Sequence, residues 1–116
     1  MTGKKRGRLL GFPTANIPLH KKIPEGIYAS LIVIDGMIFK SATFIGSAET
    51  FNENDYKAES YIFDFNKDIY GKWVKITLIR KIRNNEKFKT ENELVIQMKR
   101  DIKDAKSILS EYIHVF

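Results

Sequence analysis

Read as a pattern of apolar and polar positions, the chain divides into a turn-rich opening, a β-rich middle and a helical end. Residues 27–34 form a β-branched run, Ile27-Tyr28-Ala29-Ser30-Leu31-Ile32-Val33-Ile34, of the composition that favours a strand. Asp35-Gly36 follows, a pair that tolerates positive φ at both centres of a tight hairpin turn, and a return strand is predicted over Ile38 to Ile45. Gly46 to Lys57 is polar and reads as a loop. Ala58 to Phe65 is the next predicted strand. Its period-two alternation puts Glu59, Tyr61, Phe63 and Phe65 on one face. After a turn over Asn66 to Gly71, Trp73 to Ile82 makes a further strand, with Val74, Ile76 and Leu78 on one side and Lys75, Thr77 and Lys81 on the other.

The last third changes period. Thr90 with Glu93 three residues on is a capping box. Leu94, Met98, Ile102, Ala105, Leu109 and Tyr112 then recur at spacings of three and four, an apolar helical stripe. The opening, Met1 to Lys22, is expected to be loop, punctuated by Gly3, Gly7, Gly11, Pro13 and Pro18. Antiparallel strands followed by one helix suit a small barrel closed by that helix.

Composition narrows this picture. At 116 residues the chain fits one domain, taken as 1–116. It has no cysteine, so disulfides and thiolate metal sites are excluded. Its longest apolar runs are too short to span a bilayer, and a cytoplasmic protein without membrane association is expected. The formal charge of +6 favours a polyanionic partner. The excess is concentrated in Lys4, Lys5, Arg6 and Arg8 and in the stretch Arg80 to Arg83. Nucleic acid is set aside as that partner, because stacking aromatics are not interleaved with the basic residues.

Candidate chemistry collects at two places. In Gly3 to Asn16, glycines allow close backbone approach to an anion, adjacent guanidinium groups add charge-assisted bonds, and Thr14 and Asn16 offer neutral oxygens to a hard cation. A flexible basic arm explains the same residues equally well, and no G-x-x-x-x-G-K-[ST] loop occurs. Glu59 heads an otherwise aromatic strand face. There it is suited to take a proton from an alcohol, or else is a rim charge facing water. His20 and His114 lack ligand spacing. Tyr28, Tyr61, Phe63 and Trp73 are expected in the core, with contact to a planar ligand as the alternative use of one of them.

Gly7-Arg8-Leu9-Leu10-Gly11-Phe12-Pro13-Thr14-Ala15-Asn16 resembles the signature of the riboflavin kinase family. Further blocks match in order: Pro24-Glu25-Gly26-Ile27-Tyr28; Ile45-Gly46 with Thr50-Phe51; Glu59 to Phe65 with Tyr70-Gly71; and Arg83, Glu86, Phe88, Leu94 and Asp101. The resemblance implies a small closed six-stranded antiparallel β-barrel with a C-terminal helix. ATP and Mg²⁺ act with riboflavin as substrate, and FMN is the product. It makes Glu59 the catalytic carboxylate and assigns the nucleotide phosphates to Gly3, Lys5, Arg6, Gly7, Arg8, Gly11, Pro13, Thr14 and Asn16. Thr14 and Asn16 also take the metal, and Arg83, Glu86 and Phe88 the flavin.

The family's barrel has a strand ahead of its first glycine, whereas this chain begins almost at Gly3. The six-stranded barrel is the expectation, with a missing first strand, which would leave an open edge, as the alternative; a monomer is expected, without the FAD synthetase domain to which bacterial members are fused. Phe44, Glu49 and Tyr61 depart from the family pattern. With the short start, Phe44 and Glu49 motivate the alternative of a non-catalytic flavin- or nucleotide-binding barrel of the same fold.

Overall fold

The computed structural model describes residues 10–47, 56–65 and 71–114, with side chains as far as residue 112. Five strands and one helix follow in chain order: β1 (Thr14–Pro18), β2 (Gly26–Ile34), β3 (Met37–Ser47), β4 (Tyr56–Ile62), β5 (Val74–Arg83) and α1 (Glu91–His114). All pairings are antiparallel, in the order β1-β4-β3-β2-β5. The described residues thus form five strands rather than the expected six, with β1 and β5 at the two edges.

The sheet curls. Ala15 of β1 belongs to the same buried cluster as Ile32 and Ile34 of β2, although two strands separate β1 from β2 in the sheet. α1 does not cover this concave side, yet Ile32, Ile34 and Ile62 are buried there, as a sheet curled over its own face buries them. Phe39, Phe65, Val74 and Ile76 pack around them. On the other side, Ile27, Ala29, Ala42, Phe44, Tyr61 and Phe63 meet Met98, Ile102, Ala105 and Leu109 of α1. The predicted stripe from Leu94 to Leu109 is therefore the face the helix buries, while its last member, Tyr112, is exposed. Each large apolar side chain so covered contributes roughly 1.5–3 kcal/mol.

Local signals explain the connections. Asp35 and Gly36 have φ of 51° and 79°, and this pair of positive values gives the tight turn between β2 and β3. At the start of α1, Thr90 Oγ1 accepts the Glu93 backbone N–H at 3.1 Å, so Thr90 caps the helix as the first half of the predicted box.

Three expectations are corrected. The opening is not loop throughout, because Thr14–Pro18 pairs with β4. Prolines flank and end this five-residue strand, which is tolerated at a sheet edge. Trp73 is 93% exposed rather than core; it precedes β5 just beyond the last rung to β2, Val74 opposite Ile34, at the level of the β2–β3 turn. Register shifts between β2 and β5 place Lys81 opposite Tyr28, moving it to the side of Leu78.

Candidate functional site

The β1–β4 pairing sets Asn16 opposite Glu59 and Thr14 opposite Tyr61. Directly opposed residues of an antiparallel pair project to the same side of a sheet, with Cβ atoms about 4.5–5.5 Å apart. Glu59 also faces Phe44, Phe44 faces Ile27, and Ile27 faces Arg83. One row therefore runs Asn16–Glu59–Phe44–Ile27–Arg83 across all five strands on the helix-bearing side. It joins residues that lie 67 positions apart in the sequence at its two ends.

Glu59 is 2% exposed, which removes the rim-charge reading. Both amide atoms of Asn16, Oδ1 and Nδ2, are buried without a hydrogen-bond partner. A buried amide in that state costs about 1–3 kcal/mol, so the strand places it there against its own stability. Gly11 has a φ of 79° in the turn that leads into β1. The Pro13 carbonyl accepts from Ile62 N–H at 3.0 Å, extending the β1–β4 contact by one rung. Phe12 lies against Phe63, ring centroids 5.6 Å apart, and Lys106 of α1 sits 5.4 Å from the Phe63 ring. Gly3, Lys5, Arg6, Gly7 and Arg8 lie outside the described residues, as do Glu49, Thr50 and Phe51.

Arg83 ends β5 at the far edge of the row. Its Nε and Nη2 donate to Oδ1 and Oδ2 of Asp101 at 2.8 and 2.7 Å, and Nη1 donates to the Asn84 carbonyl at 3.0 Å. Asp101 is fully buried and takes a third bond from Gln97 Nε2 at 3.1 Å. Burial alone lowers the Arg83 pKa. The bonds and charge of Asp101, with Tyr61 and Glu86 adding, outweigh burial and leave it raised. Phe88 lies 5.8 Å below the guanidinium, while Glu86 is exposed in the same loop. Asn85 Nδ2 donates to the Ile45 carbonyl at 3.0 Å and stands 2.8 Å from where a side chain on Gly46 would begin. That contact pins the loop to the end of β3.

The Asp101 clamp is the feature that residue-by-residue reading missed. The signal was present: Asp101 falls three residues after Met98 and four before Ala105, an acid on the apolar stripe.

The donor set fits a hard cation in one respect. Among the described residues no group of three His, Cys, Asp or Glu side chains gathers as metal ligands. A cation here would therefore depend on neutral oxygens, such as the partnerless Asn16 Oδ1, and on the oxygens of a bound phosphate. Among the described residues no helix is long and apolar enough to cross a membrane.

Fold and site define a small, mainly antiparallel β domain carrying one helix, with a buried carboxylate and amide side by side on the helix-bearing face. A family profile described as Flavokinase, riboflavin kinase, matches residues 1–109. The trifunctional protein RibF/MnmA of Mycoplasmoides gallisepticum is 41% identical over 89% of this chain and 16% of its own length. The bifunctional riboflavin kinase/FMN adenylyltransferase of Haemophilus influenzae is 37% identical over 93% of this chain and 36% of its own. The RNA-binding riboflavin kinase RibR of Bacillus subtilis is 36% identical over 86% and 44%. A solved Streptococcus pneumoniae structure described as a macrolide-efflux protein shares the fold with a TM-score of 0.75 at 34% identity, over 90% of this chain and 35% of that one. The chain belongs to the riboflavin kinase family, and it spans less than half the length of each of these relatives.

Proposed function

We propose that this domain transfers the γ-phosphate of ATP to the 5′-hydroxyl of riboflavin, forming FMN. One observation carries the reading: the Asn16–Glu59 pairing, in which a buried carboxylate adjoins an amide whose two polar atoms have no protein partner. Phosphoryl transfer asks a protein mainly for in-line positioning, charge neutralisation and a base for the nucleophile. Glu59 accepts the proton of the ribityl hydroxyl. As the new oxygen–phosphorus bond forms, the bond from the γ-phosphorus to the β–γ bridging oxygen breaks, and ADP departs with that electron pair.

Thr14 Oγ1 and Asn16 Oδ1 would hold Mg²⁺, which when bound neutralises phosphate charge. The glycine- and arginine-rich segment Gly3 to Gly11 and Pro13 receive the phosphates, while Arg83, Glu86 and Phe88 receive the flavin. The sixth strand that closes the family's barrel is part of the same proposal. The relatives' names include riboflavin kinase, and that supports the choice of substrate. The test is incubation with riboflavin, ATP and Mg²⁺, the product identified by chromatography. FMN formation that requires all three is expected; folded protein that gives no FMN with any nucleoside triphosphate would sink the proposal.

A further inference from the structure

We infer that Asp101, assisted by Gln97, is a positioning residue for flavin binding, acting by fixing which edge of the Arg83 guanidinium remains available to the ligand. The inference rests on the reading that Arg83 and Phe88 receive the flavin.

A guanidinium carries five N–H donors in one plane. Asp101 takes the Nε/Nη2 edge with both carboxylate oxygens, and the Asn84 carbonyl takes one Nη1 donor. Three donors are thereby used. The remaining two, one on each terminal nitrogen, point away from Asp101 as a fork suited to a carbonyl or phosphate oxygen. The Arg83 side chain is 17% exposed, whereas the Asp101 side chain is 0% exposed, so of the two the guanidinium is the partner that solvent or a ligand can meet. Phe88 lies against the guanidinium plane, which limits rotation out of it. The backbone is fixed as well: a side chain at Gly26 would begin 2.7 Å from the Arg83 carbonyl.

Stability does not account for the clamp. Replacing a buried ion pair with apolar residues of similar volume is often neutral or stabilising, and α1 is apolar on both sides of Asp101 at Met98, Ile102 and Ala105. What a bidentate pair supplies that leucines cannot is orientation of a charged fork. Gln97 then fixes the carboxylate that fixes the arginine.

The test is a double-mutant cycle on riboflavin affinity, read by quenching of flavin fluorescence with the whole chain. It uses Arg83→Ala, Asp101→Asn and the pair combined, with KM for ATP followed alongside. Asp101→Asn is expected to weaken riboflavin binding on the order of tenfold, the scale of one misaimed charge-assisted hydrogen bond, with KM for ATP unchanged. In the Arg83→Ala background the same substitution is expected to add nothing. An equal loss with and without Arg83, or unaltered affinity in folded Asp101→Asn protein, overturns the inference. Should Asp101→Asn lack native near-ultraviolet circular dichroism, Gln97→Leu takes its place in the same cycle, with a few-fold effect expected and the same overturning outcomes. Wild-type protein that binds riboflavin but forms no FMN defeats the proposed catalysis and leaves the cycle to decide this inference. Wild-type protein that binds no riboflavin overturns both.

Discussion

The two sides of the sheet bury polar groups in opposite ways. On the concave side, Ser30 Oγ bonds Ser41 Oγ at 2.8 Å and Thr43 Oγ1 at 2.7 Å, and Thr43 Oγ1 continues to Ser60 Oγ. All four residues are fully buried. Each of the four hydroxyls bonds at least one other, so the row is partnered within the fold without a ligand. On the helix-bearing side, one residue away along β1 and β4, the Asn16 amide is buried with neither atom bonded. Polar groups that serve the fold are completed within it. A group left incomplete at a stability cost is the one suited to meet something from outside.

Four substitutions test that contrast, beginning with the largest expected effect. Glu59→Gln keeps the shape of the side chain and removes its basicity; turnover is expected to fall by roughly 10²–10⁴-fold, with flavin binding retained in a fluorescence titration. Asn16→Ala is expected to lower turnover by roughly 100-fold through lost positioning. It should leave unfolding stability unchanged or about 1 kcal/mol higher, because an unsatisfied amide is removed; urea denaturation and steady-state kinetics measure the two sides. Thr43→Val should do the reverse. It strands the hydroxyl of Ser60 and removes one of the two bonds of Ser30, so a loss of about 1–3 kcal/mol in urea is expected, with kcat and KM at wild-type values. A kinetic defect in folded Thr43→Val protein would abolish the distinction between the two sides. Thr90→Ala, at the helix cap and on neither face, sets the background: about 1 kcal/mol of stability and no change in kinetics.

How much was legible in the sequence depended on how local each signal was. The Thr90–Glu93 cap and the Asp35-Gly36 turn are written within four residues, and both form as read. The helical stripe repeats often enough to name the buried face. β1 was hidden because its five residues sit between prolines and are held by pairing with β4, a partner some forty positions away. Trp73 carries the composition of a core residue, but alternation says which side a residue faces and not where the neighbouring strand stops. Lys81 changed sides because a bulge adds a residue that no pattern within β5 announces.

The candidate site shows the same division. Resemblance supplied Thr14, Asn16, Glu59 and Arg83 as residue types in order; cross-strand register put Asn16, Glu59 and Arg83 in one row and Thr14 opposite Tyr61, two residues along β1 on the same side. The Arg83–Asp101 bond joins residues 18 positions apart across a loop; resemblance named both positions without pairing them, and the acid within the apolar stripe was the physical hint. The glycines and arginines ahead of Leu10 remain an expectation from resemblance, since they lie outside the described residues.

The serine–threonine chain on the concave side has a further effect, as a lock against misthreading. Strand pairing repeats every two residues, so β4 advanced by a single rung would turn Glu59 inward and present Ser60 or Ala58 to Asn16. In that frame a carboxylate would be driven among buried hydroxyls that already bond one another. The small hydroxyls thus penalise a one-rung slip away from the frame that sets acid beside amide, and so guard an arrangement they never touch.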